Sequence, residues 1–186
     1  MNRRTFMTSV CLFTLSTPYL RADTSNITDQ LNAINANVLF MRHALAPGFG
    51  DPTDFDVANC NTQRNLNNEG RAQAKAIGAA LSASGLIFDA VYSSQWCRCK
   101  DTAELMNVGE VETFPGLNSF FQSHAPKDKT LALLRGKLNQ LPKDRLTLMV
   151  THQVVIQAIT NQSVSSGGLV AYNTRTQHSE RVYIEG

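Results

Sequence analysis

The sequence predicts an α/β domain, a three-layer sandwich in which a mainly parallel sheet carries helices on both faces. Short apolar runs of strand length alternate along the chain with longer segments whose apolar residues recur at helical spacing. No internal repeat, low-complexity tract or second domain interrupts that alternation. With 186 residues, 42% of them hydrophobic and 17% charged, the chain also has enough apolar side chains for one core.

Residues 1–22 stand apart from the rest. Asn2, Arg3 and Arg4 make a positive start, Phe6 to Leu20 are mostly apolar, and Ala22 ends a plausible cleavage site, so the segment reads as an export signal. The arginine pair before Thr5, Phe6 and Met7 resembles a twin-arginine signal. Thr14, Ser16, Thr17 and Pro18 interrupt an apolar stretch already shorter than the ~20 residues a spanning helix needs, so no permanent membrane anchor is expected. The expected location is periplasmic or secreted. Cleavage would remove Arg3, Arg4 and Arg21 and no acid, taking Lys+Arg from 17 to 14 against 15 Asp+Glu, a formal charge of −1. A near-neutral domain without runs of Lys or Arg speaks against nucleic acid and for a small substrate.

Residues 23–36 read as a polar lead-in and 37–186 as the domain. Val38 to Met41 is a buried strand, and residues 44–65, with Pro47, Gly48, Gly50 and Pro52, form a long loop of the kind that serves function. A helix is expected from the cap-like Asn68 through Ser82, with Ala74, Ile77, Ala80 and Leu81 on its apolar face and Gly85 closing it. Asp89 to Tyr92 is a second strand, Trp96 to Met106 a helix, and Val111 to Phe114 a third strand. Leu131, Leu134, Leu138 and Leu141 mark a helix that stops before Pro142. Leu146 to Val150 is the fourth strand, Val154 to Thr160 a helix, and Leu169 to Tyr172 and Arg181 to Ile184 are expected as edge strands.

Ligands of an open parallel sheet bind beyond the carboxyl ends of its strands. Arg42 and His43 follow the first strand; Ser93 and Ser94 follow the second, with Arg98 in the next helix; Thr151 and His152 follow the fourth. An arginine fork matches two oxygens of a phosphate, a neutral imidazole is a good nucleophile near pH 7, and a second imidazole can donate as charge shifts. Two arginines and two histidines on one rim therefore describe a phosphoryl-transfer pocket.

Four stretches resemble motifs of the histidine phosphatase (phosphoglycerate mutase-like) superfamily: Arg42-His43 its RHG; Ser93 to Ala103 its SSxxxRxxxTA; Val150 to Ile156 its GHxxxI; and Leu66 to Ala74 its LTxxGxxQA. The resemblance implies a phosphohistidine intermediate on His43, phosphate gripped by Arg42, His43, Arg98 and His152, and no obligatory metal or organic cofactor. A phosphatase is expected rather than a mutase, because mutases usually carry extra elements over the site. The sequence departs from the pattern at Ala44 and Thr151, which replace glycines, and at Asn118, which stands where the family usually has its proton-donating glutamate. A substitute acid is sought among Asp51, Asp54 and Asp56, with Asp51 first because Gly50 and Pro52 would fix a turn around it. The alternative to an enzyme is a phosphate-binding protein that has lost the acid.

Cys11 lies in the expected signal, which leaves Cys60, Cys97 and Cys99 in an oxidising compartment. Cys97 and Cys99 are too close for easy bridging at a helix start, so Cys60 is expected to pair with one of them, Cys99 being taken first. Three cysteines without paired CxxC elements give no zinc site. Ser93 and Ser94 are read as helix caps, Arg64 as a candidate substrate contact, Arg71 as a surface charge, and His124 and His178 as without a role. Trp96, Phe120 and Phe121 are read as packed aromatic residues that could also line the pocket mouth.

Overall fold

The computed structural model describes residues 26–184, so the expected export signal lies outside the described residues. In chain order the elements are α1 (Ile27–Ala33), β1 (Val38–Arg42), α2 (Asn68–Ala83), β2 (Phe88–Ser93), α3 (Cys97–Met106), β3 (Val111–Thr113), α4 (Lys127–Gln140), β4 (Leu146–Thr151), α5 (Gln153–Thr160), β5 (Leu169–Tyr172) and β6 (Ser179–Val182). Single 3-10 turns lie at Cys60–Thr62, Pro115–Leu117 and Phe121–Ser123.

Alternation along β1 makes the three layers. Leu39 and Met41 point to one face, where they pack with Leu31 of α1, Leu81 of α2, and Ala103 and Met106 of α3. Val38 and Phe40 point to the other, against Leu134 and Leu138 of α4 and Val155 and Ile156 of α5. A strand covered on both faces has no polar side to show, hence the unbroken Val-Leu-Phe-Met run.

The strand order is β3-β2-β4-β1-β5-β6. β1, β2, β3 and β4 run parallel, while β5 pairs antiparallel with β1 and β6 antiparallel with β5. The register sets Arg42 opposite Thr151 and Ser93 opposite Val150, so the carboxyl ends of β1, β4 and β2 finish level. The chain continues in step: His43 N–H donates to Thr151 O at 2.9 Å and Ser94 N–H to Val150 O at 2.9 Å. That alignment gathers the polar residues that follow the three strands.

Three sequence expectations need correction. The lead-in is not featureless: α1 buries Ile27 and Leu31, with Ile34 just beyond its end, at i, i+4, i+7 spacing, and Asn26 caps it by accepting from Asp29 N. β5 is not an edge strand, since β1 and β6 flank it; β3 and β6 are the edges. The cap of α2 is Asn67, whose Oδ1 accepts from Gly70 N at 2.8 Å, one residue before the expected Asn68.

Helices α2 and α3 approach each other at Gly78, where an added Cβ would stand 2.1 Å from the carbonyl oxygen of Met106 and 2.5 Å from its Cα. Gly78→Ala should therefore destabilise the protein by about 1–3 kcal/mol through overpacking. Alanine is the better helix former by ~1 kcal/mol, so an unchanged or raised melting temperature would show that the two helices part freely.

Candidate functional site

A cleft of about 250 Å³ opens where β1, β2 and β4 end, lined by Arg42, His43, Arg64, Arg98 and His152, with Phe49 and Phe121 at its mouth. The four side chains singled out after the strands are thus brought together, and the His43 and His152 ring centroids lie 5.5 Å apart. A larger cleft of about 550 Å³ opens at the opposite end of the sheet beside α1, but Lys143, Asp144 and Arg145 line it in solvent and it contains no imidazole.

Hydrogen bonds decide which nitrogen of each imidazole carries the proton. His43 Nδ1 lies 2.8 Å from the Ala44 carbonyl, which only accepts, so the proton sits on Nδ1 and Nε2 keeps its lone pair. Burial, and next the charge of Arg98, lowers the His43 pKa to about 3, so the ring is neutral at working pH. His152 has the opposite tautomer. Its Nδ1 faces Arg98 Nη2 at 3.5 Å, and a guanidinium only donates, so Nε2 carries the proton and donates to Ser94 Oγ at 3.0 Å. Ser94 Oγ in turn donates to Asn118 Oδ1 at 3.2 Å. Burial, then Arg98 and His43, pushes the His152 pKa well below the usual imidazole value. Beside this chain burial pushes the Cys99 thiol up to about 12, and its sulfur lies 3.5 Å from His152 Nε2.

The arginines are braced and still hold donors in reserve. Arg42 donates from Nη1 to Val164 O at 2.9 Å; Arg98 donates from Nη1 to Asp51 Oδ1 at 2.7 Å and to Arg64 O at 3.2 Å, and from Nη2 to Asp51 Oδ2 at 3.1 Å. The Nε–H groups of Arg42 and Arg98 are buried and have no partner among the described residues. A buried donor without an acceptor costs about 1–3 kcal/mol, so two of them beside one cleft mark a place for an anion. Arg64 donates from Nε to Gly50 O at 2.8 Å and from Nη1 to Ala46 O. Burial and the charge of Arg98 lower the pKa of Arg42 and of Arg64 alike, the mark of cations crowded together.

The supporting residues explain the motif around Arg98. Thr102 Oγ1 accepts from Ala44 N at 3.0 Å and donates to Arg98 O at 2.7 Å, tying the turn after His43 to α3. Gln63 Oε1 accepts from Cys97 N at 2.9 Å, and Phe55 stacks on Trp96 with centroids 4.9 Å apart, so loop 44–65 lies against the start of α3.

Here too the structure corrects the sequence reading. Asp51 is not placed as a proton donor. Burial pushes its pKa up, but hydrogen bonds and charge from Arg98, with bonds from Arg64 N and the Trp96 indole, outweigh burial and hold it below the usual carboxylate value. Asp54 and Asp56 are exposed and do not line the cleft. The disulfide joins Cys60 to Cys97 rather than to Cys99. Two residues on, the helix has turned about 200°, and Cys99 faces β4 and His152 as a buried free thiol. Closing that 37-residue separation stabilises the fold by about 4 kcal/mol. Ser94 does not cap α3, whose N-cap is Trp96 without a side-chain bond; its hydroxyl orients His152 instead.

Arg64 is the cationic lining residue that no motif marked; its only sequence signal is a charge at the end of a loop already suspected of function. Asn118 lies behind His152, bonded to Ser94 and Gln95, and Ser119 lines the cleft in its place. Trp96 is buried edge-on to His152 with centroids 5.3 Å apart, and Phe121 is the residue of the aromatic trio that reaches the mouth. At the surface Arg71 pairs with Asp101 at 2.8 Å and His178 with Glu180 at 3.0 Å, while His124 packs against Phe55.

The site makes stability depend on its charges. Asp51→Asn leaves the Arg98 cation buried without its counter-ion and should cost about 3–5 kcal/mol, read as a fall in denaturant midpoint; a loss below 1 kcal/mol would mean that Arg98 swings to solvent. Below about pH 6.5 His43 and His152 take protons in the unfolded chain but not in the folded one, so stability falls as pH drops toward 3. Asp51 acts in the same direction, its contribution being lost as pH falls through its lowered folded value. The melting temperature should decline steadily from pH 7 to pH 4, and a flat profile there would show that the imidazoles titrate as free ones do.

The model of the histidine phosphatase superfamily (branch 1) matches residues 38–121. No curated protein matches the sequence. Among solved structures the chain is similar to the protein histidine phosphatase SixA complexed with tungstate, at a TM-score of 0.54 and 16% identity over 78% of this chain and 94% of that one. It is similar to a putative alpha-ribazole-5'-P phosphatase from Escherichia coli, at 0.53 and 16% over 80% and 96%. It is also similar to a phosphoserine phosphatase from Entamoeba histolytica in complex with phosphoserine, at 0.54 and 16% over 79% and 95%. At such identities the likeness is one of fold, and all three share the α/β architecture. Over residues 38–121 the chain is thus similar to the histidine phosphatase superfamily, and its fold, with Arg42, His43, Arg98 and His152 gathered at one rim, is that of the solved phosphatases.

Proposed function

We propose that the protein is a phosphatase that moves the phosphoryl group of a phosphorylated compound, a phosphomonoester in the first instance, to Nε2 of His43 and then to water. One observation carries this: an imidazole whose free lone pair sits in a cleft with two buried, unpartnered guanidinium Nε–H groups. The phosphate dianion takes the place those donors leave open and relieves the repulsion among Arg42, Arg64 and Arg98. Nε2 of His43 attacks phosphorus, with Nδ1–H held on the Ala44 carbonyl so that the ring cannot turn. The dianion also raises the proton affinity of His152, which can then take a proton on Nδ1 and donate to a phosphoryl oxygen while Nε2–H stays on Ser94. Water next attacks the phosphohistidine, the P–N bond breaks, and its electron pair returns to Nε2.

The proposed place of action is outside the cytoplasm. The Cys60–Cys97 disulfide and the signal-like first 22 residues support this.

A binding protein is the second reading, favoured by one observation: among the described residues no carboxyl group lines the cleft. The two readings separate with para-nitrophenyl phosphate, whose leaving group hardly needs an acid. The phosphatase reading expects turnover, acid-labile phosphate trapped on His43, and loss of both in His43→Ala. Arg42→Ala should cost about a hundred- to a thousandfold in kcat/KM, the usual effect of removing preorganised charge stabilisation. Tight binding of inorganic phosphate without turnover would leave the binding protein standing instead.

A further inference from the structure

We infer that the substrate's leaving group is aromatic: the cleft takes a phosphate monoester of a phenol, free or carried on a tyrosine side chain. This rests on the phosphatase reading and names the substrate class for that same site. Two independent features of the cleft lead to it, its rim and its missing acid.

The rim is aromatic and held in place. Phe49 is 88% exposed and Phe121 37% exposed, and their rings meet edge to face with centroids 5.1 Å apart. An apolar ring so open to water adds little to the core, so the fold gains almost nothing by holding it there. Yet the chain is shaped to present it. Gly48 and Gly50, at φ +96° and +70°, flank Phe49, and Gln122 and Ser123 adopt φ +57° and +62° just after Phe121, a region that non-glycine residues seldom occupy. Asp51 N donates to Gln122 Oε1 at 2.8 Å, which ties the two loops together, and Arg64 donates to Gly50 O within the first of them. Val154 adds to the apolar lining, and Ser119 and Gln153 are the uncharged polar side chains that line the cleft with it. An ammonium-bearing leaving group would find no carboxylate there among the described residues, whereas a flat ring finds two others to stack on.

The missing acid restricts the chemistry to the same class. Asp51 is held ionised behind Arg98 and Asn118 is an amide, so among the described residues no carboxyl group lines the cleft to protonate the leaving oxygen. When His43 Nε2 forms its bond to phosphorus, the P–O bond to the leaving group breaks with the electron pair going to oxygen. That oxygen departs as an anion and takes its proton from water. An alkoxide, about as basic as hydroxide at pKa ~15.7, leaves poorly in this way, while a phenolate, with pKa near 10, leaves well. The size agrees: about 250 Å³ lies below the ~300–1,000 Å³ of most small-molecule pockets and holds a phosphoryl group and the inner edge of one ring, the rest meeting Phe49 and Phe121 at the mouth.

The test compares phenyl phosphate, free phosphotyrosine, a phosphotyrosine peptide, glycerol phosphate, phosphoserine and phosphoimidazole on the folded protein and on Phe49→Ala and Phe121→Ala. Phe49 is so exposed that its variant should fold as the parent does. The inference expects kcat/KM for the phenyl esters to exceed that for the alkyl esters by at least a hundredfold. Across substituted phenyl phosphates the rate should fall steeply as the phenol becomes more basic. Each phenylalanine variant should raise KM for phenyl phosphate about fivefold, the size of one aromatic contact at 1.4 kcal/mol per tenfold, with unchanged affinity for inorganic phosphate. Faster turnover of the peptide or of the free esters would identify the source of the ring, and either supports the inference. Equal turnover of alkyl and phenyl esters, a rate indifferent to phenol basicity, preference for phosphoimidazole, or an unmoved KM in both variants would overturn it while leaving the phosphatase reading in place. Absence of turnover with every compound, with phosphate still bound, would overturn that reading and the inference with it.

Discussion

The ion pair between Arg98 and Asp51 is the interaction on which the rest of the site depends. Both side chains are only 4% exposed, and a guanidinium carried so far from water is tolerated only if its counter-ion is carried with it. Asp51 comes from the middle of a long loop, so burying Arg98 obliges that loop to fold back over the first turn of α3. The Cys60–Cys97 disulfide, Gln63 on the Cys97 amide and Phe55 on Trp96 hold it there. The long loop that the sequence marks as functional is the other half of the arginine's binding site.

The pair also shapes what the cleft offers a ligand. Asp51 occupies both terminal nitrogens of Arg98, so the guanidinium cannot rotate and Nε is the donor left over. With three arginines and two neutral imidazoles lining the cleft and Asp51 behind Arg98, the surroundings carry a formal excess of two positive charges, matched to a dianion. Neutral imidazoles follow from the same arrangement, because each would add a cation to a crowded, poorly solvated place. The feature that makes His43 nucleophilic is therefore the one that makes the site attract phosphate.

Residues whose role is set by where a strand ends were legible in the sequence. Arg42, His43 and His152 directly follow apolar runs read as buried strands, Arg98 lies in the helix after another, and the register of β1, β2 and β4 does the rest. Residues whose role is set by a partner far along the chain were not. Asp51 meets Arg98 across 47 positions, and nothing local distinguishes a carboxylate that gives a proton from one that neutralises a cation. Cys97 and Cys99 differ only in helical phase, which cannot be read until the first residue of α3 is known. α1 escaped notice because its apolar residues are isolated among polar ones, and β5 because an antiparallel strand inside the sheet reads the same as one at its edge.

The two replaced glycines, departures from the motif, connect the phosphate site to its rim. Neither Ala44 nor Thr151 adopts a positive φ, so a side chain costs no backbone strain at either position. Ala44 is fully buried, and its N–H is the group Thr102 accepts from, which locks the turn that gives His43 its tautomer. Thr151 does more than fit. Its hydroxyl donates to Leu117 O at 2.6 Å, a bond glycine could not make, and Leu117 begins the stretch that places Asn118 behind His152 and Ser119 and Phe121 around the cleft. A departure at the end of β4 thus helps to fix the very segment in which the proton-donating glutamate is missing. The two changes belong together, since a cleft with no acid depends more heavily on how its walls seat the leaving group.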